Sequence, residues 1–209
     1  MAGWAEHERG ALLEALAELG PDAPTLCEGW STQHMAAHLY VRERRPDAAL
    51  GVLPLGPLSA YTDRVMASVL RVHSYDDLLD RLRTPPAYVR ALRLDELINV
   101  VEFFVHTEDV RRPNPMPVRD LPEPLQRGLA QRLSRQARVL FRRAPVPLRL
   151  EPTVGLSVRA GAKDGDVVTV KGLPSEILLF GFNRKDAARV DLDGSAESVE
   201  RLQQAQLGL

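Results

Sequence analysis

The chain has 209 residues, 44% of them hydrophobic and 26% charged, an ordinary composition for a globular protein with room for one large domain or two smaller ones. A formal net charge of -1 argues against a nucleic-acid groove as the main function, and a single cysteine, Cys27, excludes a disulfide framework or a cysteine-rich zinc site. No run of about 18 apolar residues occurs, and the start shows no basic segment leading into an apolar one, so a soluble, cytoplasmic protein is expected.

Up to about Arg143 the hydrophobic period is helical. Trp4–Leu19 carries Leu12, Leu13, Leu16 and Leu19 at helical spacing and stops at Gly20-Pro21. Asp22–Trp30 reads as a turn, and Ser31 as the N-cap of a helix running to Arg44 and ended by Pro46. Glycines and prolines make Gly51–Pro57 a loop, Leu58–Val72 is helical, and Ser74 caps Tyr75–Arg83, which Pro85-Pro86 breaks. A helix over Asp95–Arg111 ends before Pro113, Pro115 and Pro117, and Leu121–Arg142 forms another. Four main helices with a broken connection predict a helical bundle over residues 1–144.

Beyond Ala144-Pro145-Val146-Pro147 the period changes to two. Leu148–Glu151, Val154–Arg159 and Val167–Lys171 read as strands, with a turn at Lys163-Asp164-Gly165-Asp166. Pro174 opens a helix over Ser175–Phe182, Ala188–Leu192 is a strand, and Ser195 caps a terminal helix. Residues 148–209 thus form a small α+β domain, and the fold class of the whole chain is α+β.

Glu102 and His106 stand four residues apart in the apolar run Leu94–Val110. With Ile98 at zero on a wheel of 100° per residue, Glu102 and Asp109 fall within about 40° and His106 at about 80°, inside the apolar stripe. Burying such groups without partners costs roughly 2–7 kcal/mol each, and more when charged. One divalent cation shared by Glu102 and His106 removes that cost; a buried Glu–His pair without metal is the plain alternative. Asp109, one turn further, is placed to hydrogen-bond a ligand histidine or to ligate directly.

His34, His38, Arg42 and Arg45 share one face of the earlier helix. His38 lies deep enough to supply a third ligand, and Arg42 or Arg45 to line the mouth for an anionic substrate. His34 and His38 could instead form a separate pair, although His34 sits in the first, more exposed turn. His7 and His73 read as surface or capping residues. Cys27 precedes His38 by 11 residues, about 16 Å along a helix, and reads as a small buried apolar residue with no histidine beside it.

Thr25-Leu26-Cys27-Glu28-Gly29-Trp30-Ser31, Ala36-Ala37-His38-Leu39 and Asn99-Val100-Val101-Glu102-Phe103-Phe104-Val105-His106 resemble motifs of the DinB-like, mycothiol-dependent maleylpyruvate isomerase family, and in particular a metal-binding subgroup of it. Val168–Phe180 is similar to that family's small C-terminal domain, related to sterol-carrier-like folds. The resemblance implies a DinB-like four-helix bundle with a metal, zinc or another divalent ion such as nickel, on His38, Glu102 and His106. It implies mycothiol as cofactor, with Arg42, Arg45 and Arg184 as thiol or substrate contacts. His34 departs from the family pattern, where an acidic residue is common. The implied partners are a small thiol and a small electrophile, with no nucleic acid or membrane, in a monomer or homodimer. The implied activity is isomerase or S-transferase, the metal activating the thiol; a non-catalytic metal- or ligand-binding protein of the same fold is the alternative.

Overall fold

The computed structural model describes residues 3–45, 57–86 and 99–208, with the side chains of 57–59 excepted. Most of the expected loop at 51–57 and the first turns of the site helix, with Ile98, lie outside the described residues. The chain forms two compact units, Met1–Val118 and Arg119–Leu209.

In the first unit, α1 (Trp4–Leu19) buries Ala5, Leu12, Ala15 and Leu16. It ends at Gly20, whose φ of 75° is open to glycine without strain and whose N–H bonds Leu16 O. Ser31 is the N-cap of α2 (Thr32–Arg44), and α3 (Pro57–Val72) follows. The Ser74 hydroxyl accepts from Asp77 N to start α4 (Tyr75–Arg83). The described part of the site helix is α5 (Val100–Arg111), which packs on α1, while α2 packs on α3 and α4.

Leu16, Met35, Leu39, Leu78, Leu82 and Phe103 are at most 2% exposed and form the core of this unit, each worth about 1.5–3 kcal/mol on burial. One ion pair is set into it. Arg9 Nη2 lies 2.6 Å from Glu43 Oε1, with side chains only 6% and 3% exposed. The same guanidinium donates to Leu82 O at 3.1 Å and stacks 4.5 Å from the Phe103 ring centre, so one side chain ties four helices.

The second unit begins with α6 (Glu123–Leu140), which was expected in the bundle. It buries Leu125, Leu129, Leu133, Ala137 and Leu140 and packs against a later helix, α7 (Pro174–Gly181), and against strand β2. The unit boundary therefore lies at Val118/Arg119, not near residue 144. Periodicity shows that a helix has an apolar stripe; it does not show which partner covers it. A buried amide pair locks α6 to α7: Gln126 Nε2 donates to Ser175 Oγ at 3.0 Å, and Ser175 N donates to Gln126 Oε1 at 3.2 Å.

The strands are β1 (Pro147–Pro152), β2 (Val158–Gly161), β3 (Val168–Gly172) and β4 (Asp191–Asp193), in the order β2-β1-β3-β4. β1 pairs antiparallel to β2 and parallel to β3, and β3 pairs antiparallel to β4. Leu148, Leu150, Val168 and Val170 alternate inward, as the period of two requires, and α7 covers them. Two strands start three or more residues later than expected. Residues 154–157 are irregular before β2, and β4 begins at Asp191 instead of Ala188. The turn at 163–166 is a crossover, because β2 and β3 flank β1 on opposite sides. Ser195 caps α8 (Ala196–Gln204) through Ser198 N, as anticipated. No helix among the described residues is long and apolar enough to cross a membrane.

Candidate metal centre

Helices α2 and α5 bring His38, Glu102 and His106 together, with one ligand atom from each within 4.8 Å of the others. Glu102 and His106 face the same way because they are one helical turn apart; His38 comes from a different helix, as its depth in α2 suggested. Three nitrogens converge on Glu102 Oε1: His106 Nε2 at 3.1 Å, Arg42 Nε at 3.2 Å and His38 Nε2 at 3.6 Å. The two imidazole rings stand 5.1 Å apart at 75°, and Trp30 packs on His38 with ring centres 5.0 Å apart.

His38 Nε2 is buried and has no hydrogen-bond partner among the described residues; Glu102 Oε1 lies just beyond bonding distance. Leaving such a group unpaired costs about 1–3 kcal/mol. Burial pushes the His38 pKa down, against the pull of Glu102, which favours the neutral imidazole that can ligate a metal. The other two groups are pushed the opposite way, toward their charged forms. Burial opposes the Glu102 carboxylate, yet the hydrogen bond from His106, the approach of His38 and the charge on Arg42 hold its pKa well below the usual range. Burial likewise opposes protonated His106, and its bonds to Asp109, Cys27 and Glu102 outweigh that, raising its pKa well above the ordinary value. A buried carboxylate flanked by two imidazoles, one with an orphaned nitrogen, is a donor set that fits a divalent cation.

Asp109 lies where the sequence placed it. Its side chain is fully buried, and Oδ2 accepts from His106 Nδ1 at 3.0 Å. Arg42 reaches the cluster itself and does not merely line its mouth. Beyond its contact with Glu102, it donates from Nη1 to Asn99 Oδ1 at 2.5 Å. Arg45 stands at the C-cap of α2, where helical phase is lost. His34 stays outside the centre: its Nδ1 accepts from Ser31 N at 3.2 Å and pairs with the Ser31 hydroxyl at 3.0 Å, capping α2. His73 pairs with Asp77, and the His7 side chain is 53% exposed. Arg184 belongs to the second unit, where Nη1 donates to Phe182 O at 2.6 Å, and its part in thiol binding rests on the resemblance alone.

Two participants were missed. Asn99 stands at the N-cap of the described part of the site helix, where its Oδ1 accepts from Arg42. Cys27 is distant in the chain from α5, yet Sγ lies 3.3 Å from Asp109 Oδ2, and Cys27, His106 and Asp109 form a second group with metal-ligand spacing. The segment before α2 folds back through the Pro24–Ser31 bridge and the Thr25 N to Trp30 O bond. A distance counted along a straight helix therefore does not apply. The Thr25–Ser31 motif quoted for the resemblance contained the one available signal.

No protein-family model matches the chain, and no curated protein matches it. Among solved structures, it resembles the crystal structure of the mycothiol-dependent maleylpyruvate isomerase and that of its histidine-to-alanine mutant. Each has a TM-score of 0.60 and 16% sequence identity, and each match covers 90% of both chains. At that identity the likeness is one of fold: this chain has an α+β fold similar to that of the isomerase.

Proposed function

We propose that the first unit is a DinB-like metal-binding bundle. It holds one divalent cation, zinc or a similar ion such as nickel, on His38, Glu102 and His106. The protein then uses a small thiol such as mycothiol to attack an electrophile, as an isomerase or S-transferase. The observation that carries this is the buried His38 Nε2, which lies by Glu102 and His106 and has no hydrogen-bond partner among the described residues. Similarity of fold to a thiol-dependent isomerase supports the chemistry. When bound, such a cation supplies charge that favours the deprotonated form of a thiol.

The chain's own residues prepare the site. Arg42 holds Glu102 through Nε and Asn99 through Nη1, which leaves Nη2 to meet an anionic group. Trp30 covers His38 and limits water on that side. Asp109 fixes His106 so that Nδ1 carries a proton and Nε2 faces Glu102.

Elemental analysis of the purified protein is expected to show about one equivalent of divalent metal. Protein that contains none and takes none up on addition overturns the proposal. Calorimetry with mycothiol is expected to give a Kd between micromolar and millimolar, about -4 to -8 kcal/mol. Arg42→Ala should weaken that binding roughly tenfold, as expected for loss of a charged hydrogen bond, with metal retained. Full metal occupancy without thiol binding points to the non-catalytic alternative.

A further inference from the structure

We propose that Cys27 is a positioning residue for the metal centre, acting on His106 through Asp109 and through its own approach to the ring; this rests on the metal reading above. His106 presents its two nitrogens to different groups. Nε2 faces Glu102 Oε1 at 3.1 Å and shares that oxygen with His38, whereas Nδ1 faces Asp109 Oδ2 at 3.0 Å. A single ion takes one nitrogen of an imidazole. The Nε2 side offers two more donors, one of them the orphaned His38 nitrogen, so the ion belongs there. Nδ1 is then the N–H that fixes the tautomer and orientation of the ring.

Asp109 must itself be held. It is 0% exposed, so no solvent orients it. Its Oδ2 accepts from His106 Nδ1 and from the Cys27 thiol at 3.3 Å, and its backbone oxygen accepts from Leu26 N at 2.9 Å. Two neighbouring residues of the segment before α2 thus grip both ends of Asp109. The S–H bond helps to orient the carboxylate, the carboxylate orients the ring, and the thiol lies close to the ring itself. Cys27 therefore ties the conformation of this segment to the donor geometry of a ligand on α5.

The test uses the full-length protein loaded with Co2+ or Zn2+, comparing wild type, Cys27→Ala and Cys27→Ser. Metal affinity, measured by competition with a chromophoric chelator, is expected to fall about tenfold in Cys27→Ala, the low end for partners outside the ligand shell. Cys27→Ser keeps an O–H donor and should recover most of it. The visible Co2+ bands should change in Cys27→Ala and return in Cys27→Ser, a rescue that a packing role does not explain. Unchanged affinity in Cys27→Ala with metal-binding wild type overturns this inference alone. Wild type that binds no metal overturns both it and the proposed function. A sulfur-to-cobalt charge-transfer band in wild type, lost in Cys27→Ser, also overturns it, because the thiol is then a ligand.

Discussion

Replacing His106 by alanine is expected to weaken divalent-metal binding by more than about a hundredfold. Partners one step removed from a metal already cost about 10–100-fold, and His106 stands at the centre of both candidate ligand groups. Glu102→Ala should behave alike, since Glu102 Oε1 is the atom on which His38, His106 and Arg42 converge. His34→Ala is the informative control. His34 lies only four residues from His38, yet its ring is spent on capping α2 at Ser31, so its removal should cost helix stability and leave metal affinity nearly unchanged. Equilibrium dialysis with elemental analysis measures all three. Loss of the ion in His34→Ala together with retention in His106→Ala places the centre on the wrong residues.

The second large effect is on stability. Glu43→Ala removes the counter-charge of Arg9, both side chains being almost wholly buried. A stranded buried charge costs about 3–5 kcal/mol, and for a chain of this size that lowers Tm by roughly 10 °C. The carbonyl of Leu82 and the ring of Phe103 still face the guanidinium and soften the loss without neutralising it. Replacing the pair together, Arg9→Met with Glu43→Leu, should recover much of the stability, because apolar packing substitutes well for a buried ion pair. Thermal unfolding followed by circular dichroism gives both values. A loss below about 1 kcal/mol for Glu43→Ala means that the pair is hydrated in solution.

Helices were more legible than strands for a physical reason. α1, α2 and α4 are bounded by local chemistry: a glycine stop at Gly20, and serines at N-cap positions 31 and 74. Their limits follow from a few adjacent residues. Strand β2 and the short strand β4 depend on what lies beside them. Residues 154–157 alternate apolar and small residues yet stay outside the sheet: the register with β1 covers only 158–161, and Gly155 turns the chain at a φ of 103°. The crossover from β2 past β1 to β3 is likewise invisible in a period of two, which records faces and not neighbours.

Within the site the same division holds. Helical spacing, a local property, puts Glu102, His106 and Asp109 on one helix face and makes that face apolar. Position along α2 likewise singles out His38, one turn deeper than His34, as the histidine placed to enter the bundle. Tertiary packing fixes the rest. It turned Arg42 onto Glu102, brought Asn99 to Arg42, and folded the Thr25–Trp30 segment back so that Cys27 meets Asp109. It also moved α6 out of the first unit into the second. Each of these is a contact between segments distant in the chain. Such contacts are selected by which surfaces bury one another best, a competition over the whole molecule that no local spacing encodes.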